Sequence, residues 1–171
     1  MRAEFEGMRP GDVLRVLDAL DAAGIATHLE GGWGVDALAG RWTRAHRDVD
    51  VTTDATHEAG ALRVLEALGY VVETDWRPTR VELAAAGRGW VDLHPLRFAP
   101  DGSATLPGID GEVYEFPTRY FTTGSISGRA VGCFTIEAQR FFRTGYVLRP
   151  VDEHDLSVLD ELEVLALGMP R

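Results

Sequence analysis

The sequence predicts an α+β domain, α/β-like in its first half, with a mixed β-sheet flanked by helices. Two observations lead there. Apolar residues switch repeatedly between a helical period and a strand period, in the order α-β-α-β-α-β-β-β with helices to follow. A chain of 171 residues with 45% hydrophobic content also suffices for one domain with a real core. The expected organisation is a core over residues 1–100 and a C-terminal part over 101–171 that helps form a cleft, the two being readable as one continuous domain.

Residues 1–10 carry no clear pattern and end in the turn Arg9-Pro10-Gly11. From Asp12 to Ala23, Val13, Val16, Leu17 and Leu20 recur at helical spacing, and Gly24 is a good stop. Ile25 to Leu29 reads as a short strand that delivers the chain to Gly31-Gly32. Trp33 to Ala39 is a short helix stopped at Gly40, and Arg41 to Arg47 is a polar loop. Arg47 to Thr53 alternates acid and apolar residues as a strand. Asp54 or Thr56 caps a helix from His57 to Leu68. Tyr70 to Thr74 is a strand, and Arg80–Ala85 with Trp90–Leu93 forms a β-hairpin. Turn residues dominate Arg97 to Gly111. Val113–Phe116 and Arg129–Phe134 are short strands around a flexible Thr122–Ser125 link. Thr135 caps a helix through Arg143, and Asp152 caps a last one carrying Leu156, Leu159, Leu162 and Leu165.

Composition excludes several classes. The net charge is -10, which disfavours broad binding to nucleic acid or an anionic membrane. The single cysteine, Cys133, allows no intrachain disulfide; with its apolar neighbours it reads as a buried structural thiol in a reducing cytoplasm. No signal peptide and no bilayer-length apolar run is evident. A P-loop, a dinucleotide Gly-x-Gly-x-x-Gly, zinc-ligand spacing and a Gly-x-Ser-x-Gly elbow are all missing.

The chemistry concentrates between Glu30 and Thr53. A glycine turn opening a helix offers unsatisfied N–H donors and a positive dipole end, and Gly31-Gly32 lets a polyphosphate approach closely. Asp48 and Asp50, at i and i+2 of a strand, share one face, where hard oxygen ligands suit Mg²⁺. Taken singly, a Gly-Gly is often a plain turn and an acid-x-acid often a solvated strand end. Asp92, set between Val91 and Leu93, shifts the balance, because three inward carboxylates are costly without a metal. Arg44 and His46 precede the acid pair and can reach phosphate oxygens, or else form a solvated loop pair. Such a set suits nucleotidyl transfer, with Mg²⁺ drawing charge off the phosphates and the third carboxylate taking the hydroxyl proton.

These residues also carry a resemblance. Gly31-Gly32-Trp33-Gly34-Val35-Asp36, Arg44-Ala45-His46-Arg47-Asp48-Val49-Asp50 and Asp92-Leu93-His94-Pro95 resemble the small lincosamide nucleotidyltransferases and, more distantly, the aminoglycoside 2''-nucleotidyltransferases. Asp75 to Leu83, Ile136 to Gln139, Thr144-Gly145-Tyr146 and His154-Asp155 extend the likeness over residues 12 to 160. It implies the nucleotidyltransferase fold, with Asp48 and Asp50 binding one or two Mg²⁺ ions and Asp92 acting as general base and further metal ligand. Gly31, Gly32, Trp33, Arg44 and His46 would hold a nucleoside triphosphate, with AMP the transferred group. Glu82, Tyr146 and His154 are the candidates for lining the pocket of an antibiotic acceptor, and a homodimer fits the family. Arg97–Gly111, Thr122–Gly128 and the tail after Asp160 depart from the pattern, which leaves the drug and its hydroxyl open. All 17 basic residues are arginine, a GC-rich bias compatible with self-resistance or with a biosynthetic step on another sugar. A non-catalytic or antitoxin-like member of the fold is the competing reading, and an RNA-acting enzyme conflicts with the charge.

Overall fold

The computed structural model of the chain describes residues 7–168; the patternless start at residues 1–6 and the last residues, 169–171, lie outside them. Helix α1 (Pro10–Ala22) starts on a proline, and the Asp12 carboxylate accepts from the Arg9 N–H at its head. Strand β1 (His28–Glu30) then leads straight into helix α2 (Gly31–Ala39), which ends at Gly40 in the left-handed conformation. Strand β2 (Asp48–Asp54) is followed by a 3-10 turn and helix α3 (Glu58–Ala67). Strands β3 (Val71–Trp76), β4 (Arg80–Ala85) and β5 (Gly89–Phe98) form a meander. Strands β6 (Ala104–Pro107), β7 (Val113–Phe116), β8 (Phe121–Ile126) and β9 (Arg129–Phe134) precede helices α4 (Ile136–Phe141) and α5 (Pro150–Ala166).

The main path of the sheet runs β3-β4-β5-β2-β1-β9-β8, with β6 and β7 continuing from the end of β5. The pairs β2/β5 and β1/β9 are parallel and the others antiparallel, so the sheet is mixed as expected. Strands from both sides of residue 100 share it.

One face of the central strands is apolar. Val49, Val51, Val81, Leu83, Val91 and Leu93 are buried there with Val13, Val16, Leu17 and Leu20 of α1 and with Ala61 and Leu65 of α3. Each such side chain contributes about 1.5–3 kcal/mol when fully buried. Helix α2 is enclosed on several sides: Trp33 and Ala37 join that core, whereas Val35 packs on Val158 and Leu159 of α5. Its burial all round matches its lack of a polar stripe. A second core of Leu96, Leu106, Phe116, Tyr120 and Phe134 lies beneath the C-terminal segments. Cys133 is buried, and burial pushes its thiol up to about 12, as befits a structural residue.

Several boundaries differ from the sequence reading. Gly31 and Gly32 belong to the helix itself, and the strand before them ends at Glu30. Thr122–Ser125 is not a link: it lies within β8, paired along its length with β9. Arg97–Gly111 contains β6, and Asp54 caps the 3-10 turn Ala55–His57 through Thr56 N–H before α3 begins. Asp152 is the third residue of α5, not its cap. From there it accepts from the Arg149 backbone N–H at 2.9 Å and from the Arg149 guanidinium at 2.9 and 3.0 Å.

Those bonds from Arg149 hold the Asp152 carboxyl down at about 2. A carboxylate held below its unfolded value stabilises the fold above about pH 4, and that contribution disappears as pH falls toward 2. Asp152→Asn should therefore cost about 1 kcal/mol at neutral pH, the usual worth of such a helix-start group. In urea titrations the gap between wild type and variant should close as pH is lowered from 4 to 2.

Candidate functional site

The sheet face opposite the α1/α3 core carries the acids. Register alone aligns them: Glu30 of β1 is opposite Asp50 of β2, Asp50 is opposite Asp92 of β5, and Asp92 is opposite Glu82 of β4. Four carboxylates thus form one row across four adjacent strands, with Asp48 and His94 on the same face two residues to either side. Glu30, Asp48, Asp50 and His94, with Gly31 and Gly32, line a cleft of about 690 Å³, whereas Asp92 and Glu82 belong to the row but not to its wall.

Such a row repels itself unless cations intervene. His94 is central: its Nε2 lies 3.2 Å from Glu30, 3.4 Å from Asp50 and 3.6 Å from Asp92. Burial opposes its charge, but these carboxylates outweigh burial and raise His94 to about 9. Arg80 holds one oxygen of Asp92 while stacking over Trp76. Arg47 lies over Trp90 and donates to Asp48 at 3.0 Å and to Glu82 at 3.2 Å. Even so, burial raises the carboxyls of Glu30, to about 7, and of Asp48 and Asp92, and neighbouring acids add to each. The Oδ1 of Asp92 is buried and has no partner within the described residues.

This donor set fits a hard divalent cation. Glu30, Asp50 and His94 bring ligand atoms within 4.8 Å of one another, and Asp48 and Asp92 add oxygens beside them. Carboxylates crowded together in this way gain from a cation placed among them.

The glycine turn is set hard against the acids. Gly31 has φ +60°, and a Cβ there would lie 2.3 Å from Asp50 Oδ2. A Cβ on Gly32 would lie 2.3 Å from Arg44 Nη2 and 2.5 Å from His46 Nδ1. The two glycines therefore let Asp50, Arg44 and His46 pack directly against the start of α2. The loop from residue 41 to 47 is pinned beside it by Asp36, which accepts from Thr43 N–H at 3.2 Å and from Thr43 Oγ1 at 2.5 Å. His46 Nε2 lies 2.6 Å from the same Asp36 carboxylate, and Arg44 is held by Asp155 of α5 at 2.8 and 3.0 Å.

The expected residues divide accordingly. Asp48, Asp50, Gly31, Gly32, Arg44 and Tyr146 meet at the cleft, whereas Asp92 stands beside Asp50 in the row, buried and outside the cleft wall. Trp33 and His46 do not line the cleft wall: both are buried behind the turn, their rings 4.4 Å apart, where they support α2. His154 is likewise turned to Thr43, its Nε2 3.0 Å from the hydroxyl, and Glu82 ends the acid row on Arg47. Glu30 and His94 were missed as site residues. The signal for Glu30 was its place just before Gly31, and for His94 its position two residues beyond Asp92 on a strand.

The chain matches the aminoglycoside-2''-adenylyltransferase family model over residues 12–159, and it belongs to that family of nucleotidyltransferases. It is 35% identical to a lincosamide resistance protein of Staphylococcus haemolyticus, over 88% of this chain and 94% of that protein. A 2''-aminoglycoside nucleotidyltransferase of Escherichia coli is 30% identical, over 72% of this chain and 66% of that protein. The crystal structure of the lincosamide antibiotic adenylyltransferase LnuA with lincomycin bound superposes with a TM-score of 0.84 at 34% identity, covering 91% of this chain and 99% of that one. The expected nucleotidyltransferase fold and family are thus both found.

The turn geometry is testable by stability alone. Gly31→Ala should cost about 1–2 kcal/mol, from a left-handed backbone and from the Asp50 contact. Gly11→Ala, with open space around it, should stay within about 0.5 kcal/mol of wild type in thermal melts.

Proposed function

We propose that the protein transfers AMP from a nucleoside triphosphate to a hydroxyl of a lincosamide-type antibiotic, with Mg²⁺ as cofactor. The observation that carries this reading is the carboxylate row facing the start of α2. It joins a cation site to an anion site within one cleft.

Asp48 and Asp50 would hold the cation, with Glu30 and Asp92 beside them. When bound, Mg²⁺ supplies charge neutralisation at the α-phosphate and the departing pyrophosphate. The N–H groups at Gly31 and Gly32, with Arg44, hold the phosphate chain. Asp92, fixed by Arg80 through one oxygen and beside Asp50 in the row, is the carboxylate assigned to take the acceptor hydroxyl's proton. The hydroxyl oxygen bonds to the α-phosphorus as the bond to the bridging oxygen breaks, and pyrophosphate leaves with the electron pair.

The opposite wall of the cleft supports the acceptor class. Leu106, Tyr114, Phe116, Phe142, Tyr146 and Val151 give it an apolar, aromatic character. The carboxylate on this wall, Asp152, is already engaged by Arg149. A polycationic aminoglycoside would find no free acid there, whereas a thio-sugar with one amine and an alkyl chain would find matching surface. The higher identity to the lincosamide resistance protein agrees.

Incubation with Mg²⁺, each nucleoside triphosphate and a panel of lincosamides and aminoglycosides should yield an AMP adduct of a lincosamide by mass. Asp48→Asn, Asp50→Asn and Asp92→Asn should each lower turnover by on the order of 10²-fold or more without unfolding the protein. Full activity in any of them would sink the assignment of that carboxylate.

A further inference from the structure

Arg44 belongs to a cluster of buried polar side chains built from α4, α5 and the segment between them. Asp155, buried on α5, accepts from Arg44 Nε and Nη2 and, through the same Oδ2, from Arg143 Nη2 at 2.7 Å. Arg143 also donates to the carbonyl of Gln139 at 2.9 Å and to Gln139 Oε1 at 2.8 Å. Arg143 is 8% exposed and Gln139 1%, yet both line the cleft. The Nε of Arg143 and the Nε2 of Gln139 are buried donors without a partner among the described residues. Gln139 Nε2 lies 2.2 Å from where a Cβ of Gly34 would sit, so the amide is packed against the first turn of α2.

Two guanidiniums share one carboxylate here, which leaves a net positive charge beside two orphan donors. A buried donor without a partner is costly, and an anion at the cleft wall beside these side chains would offset that cost. The apolar wall offers no acceptor for these donors, and the nearest feature that selects for anions is the start of α2.

We propose that Arg143 and Gln139 complete the triphosphate site, and that Asp155 is a positioning residue setting Arg44 and Arg143 side by side against the phosphates. This rests on the nucleotidyl-transfer reading for the identity of the anion. It makes α4 and α5 part of the nucleotide half of the cleft as well as the acceptor half. It also sets two effects of Asp155 in opposition. Simple Coulomb repulsion says that a carboxylate near the phosphates weakens their binding. Positioning says that without it both guanidiniums lose their aim.

Calorimetric binding of inorganic tripolyphosphate, with and without Mg²⁺, separates these cases. Arg143→Gln should weaken it by at least about tenfold, the loss expected on removing a charge-assisted hydrogen bond. Arg143→Lys should keep the charge but recover only part of the affinity. Asp155→Asn should also weaken binding; tighter binding would overturn the positioning role. Arg119→Gln, a charge change at the exposed pair with Glu137, should leave affinity unchanged. In turnover assays KM for the triphosphate should rise more than kcat falls, with the acceptor KM little changed. Should Asp155→Asn not fold, by circular dichroism, the two Arg143 variants decide alone. Wild-type affinity and triphosphate KM in Arg143→Gln would overturn the proposal. If wild type binds tripolyphosphate through Arg143 but forms no adduct, the anion site stands and the reaction reading falls.

Discussion

Everything in this cleft depends on holding like charges side by side. Glu30, Asp50, Asp92 and Glu82 stand in one row because β1, β2, β5 and β4 pair in a single register. A slip of one residue in any strand would turn its acid into the α1/α3 core and its valine or leucine out to the cleft. Burial of Val49, Val51, Val81, Leu83, Val91 and Leu93 therefore does more than stabilise the sheet. It fixes the side on which the charges lie, and the hydrophobic term is large enough to overrule their repulsion.

What softens the repulsion is cationic at every point. His94 sits among three carboxylates, Arg80 on Asp92, and Arg47 between Asp48 and Glu82. The fixed guanidiniums lie toward the β4 side and the outer strand end. On the Glu30 side the compensating charges are His94 and, less strongly, Arg143, and burial with the neighbouring acids still raises Glu30 to about 7.

How much of this the sequence disclosed follows from range. Local patterns revealed Asp48 and Asp50 on one face, Asp92 between apolar neighbours, and most helices. The partners of those acids come from cross-strand register, which no local window contains; Glu30 and His94 were missed for that reason. His46 was misjudged because a histidine serving a buried aspartate has the same neighbours in sequence as one serving a phosphate. Only its distance of 2.6 Å from Asp36 separates the two. Strand β8 was hidden by Thr-Thr-Gly-Ser, a loop-like composition. Its glycine has a packing reason: a Cβ on Gly124 would lie 2.3 Å from the carbonyl oxygen of Ala37, so α2 can settle on the sheet only over a bare backbone.

The C-terminal part also changes how selectivity in such a cleft can be understood. Helix α5 holds Arg44 through Asp155 and contributes Val151 and Asp152 to the apolar side. One rigid element thus touches both halves, the phosphate end through its buried face and the acceptor end through its first turn. Strands β6 and β7 supply Leu106, Tyr114 and Phe116 from outside the main path of the sheet. Residues on those short strands can change without disturbing the acid register, whereas residues on the inner face of α5 cannot. On the proposed reading, acceptor preference is free to vary along β6 and β7, while the C-terminal helix is tied to the nucleotide by a carboxylate it cannot lose.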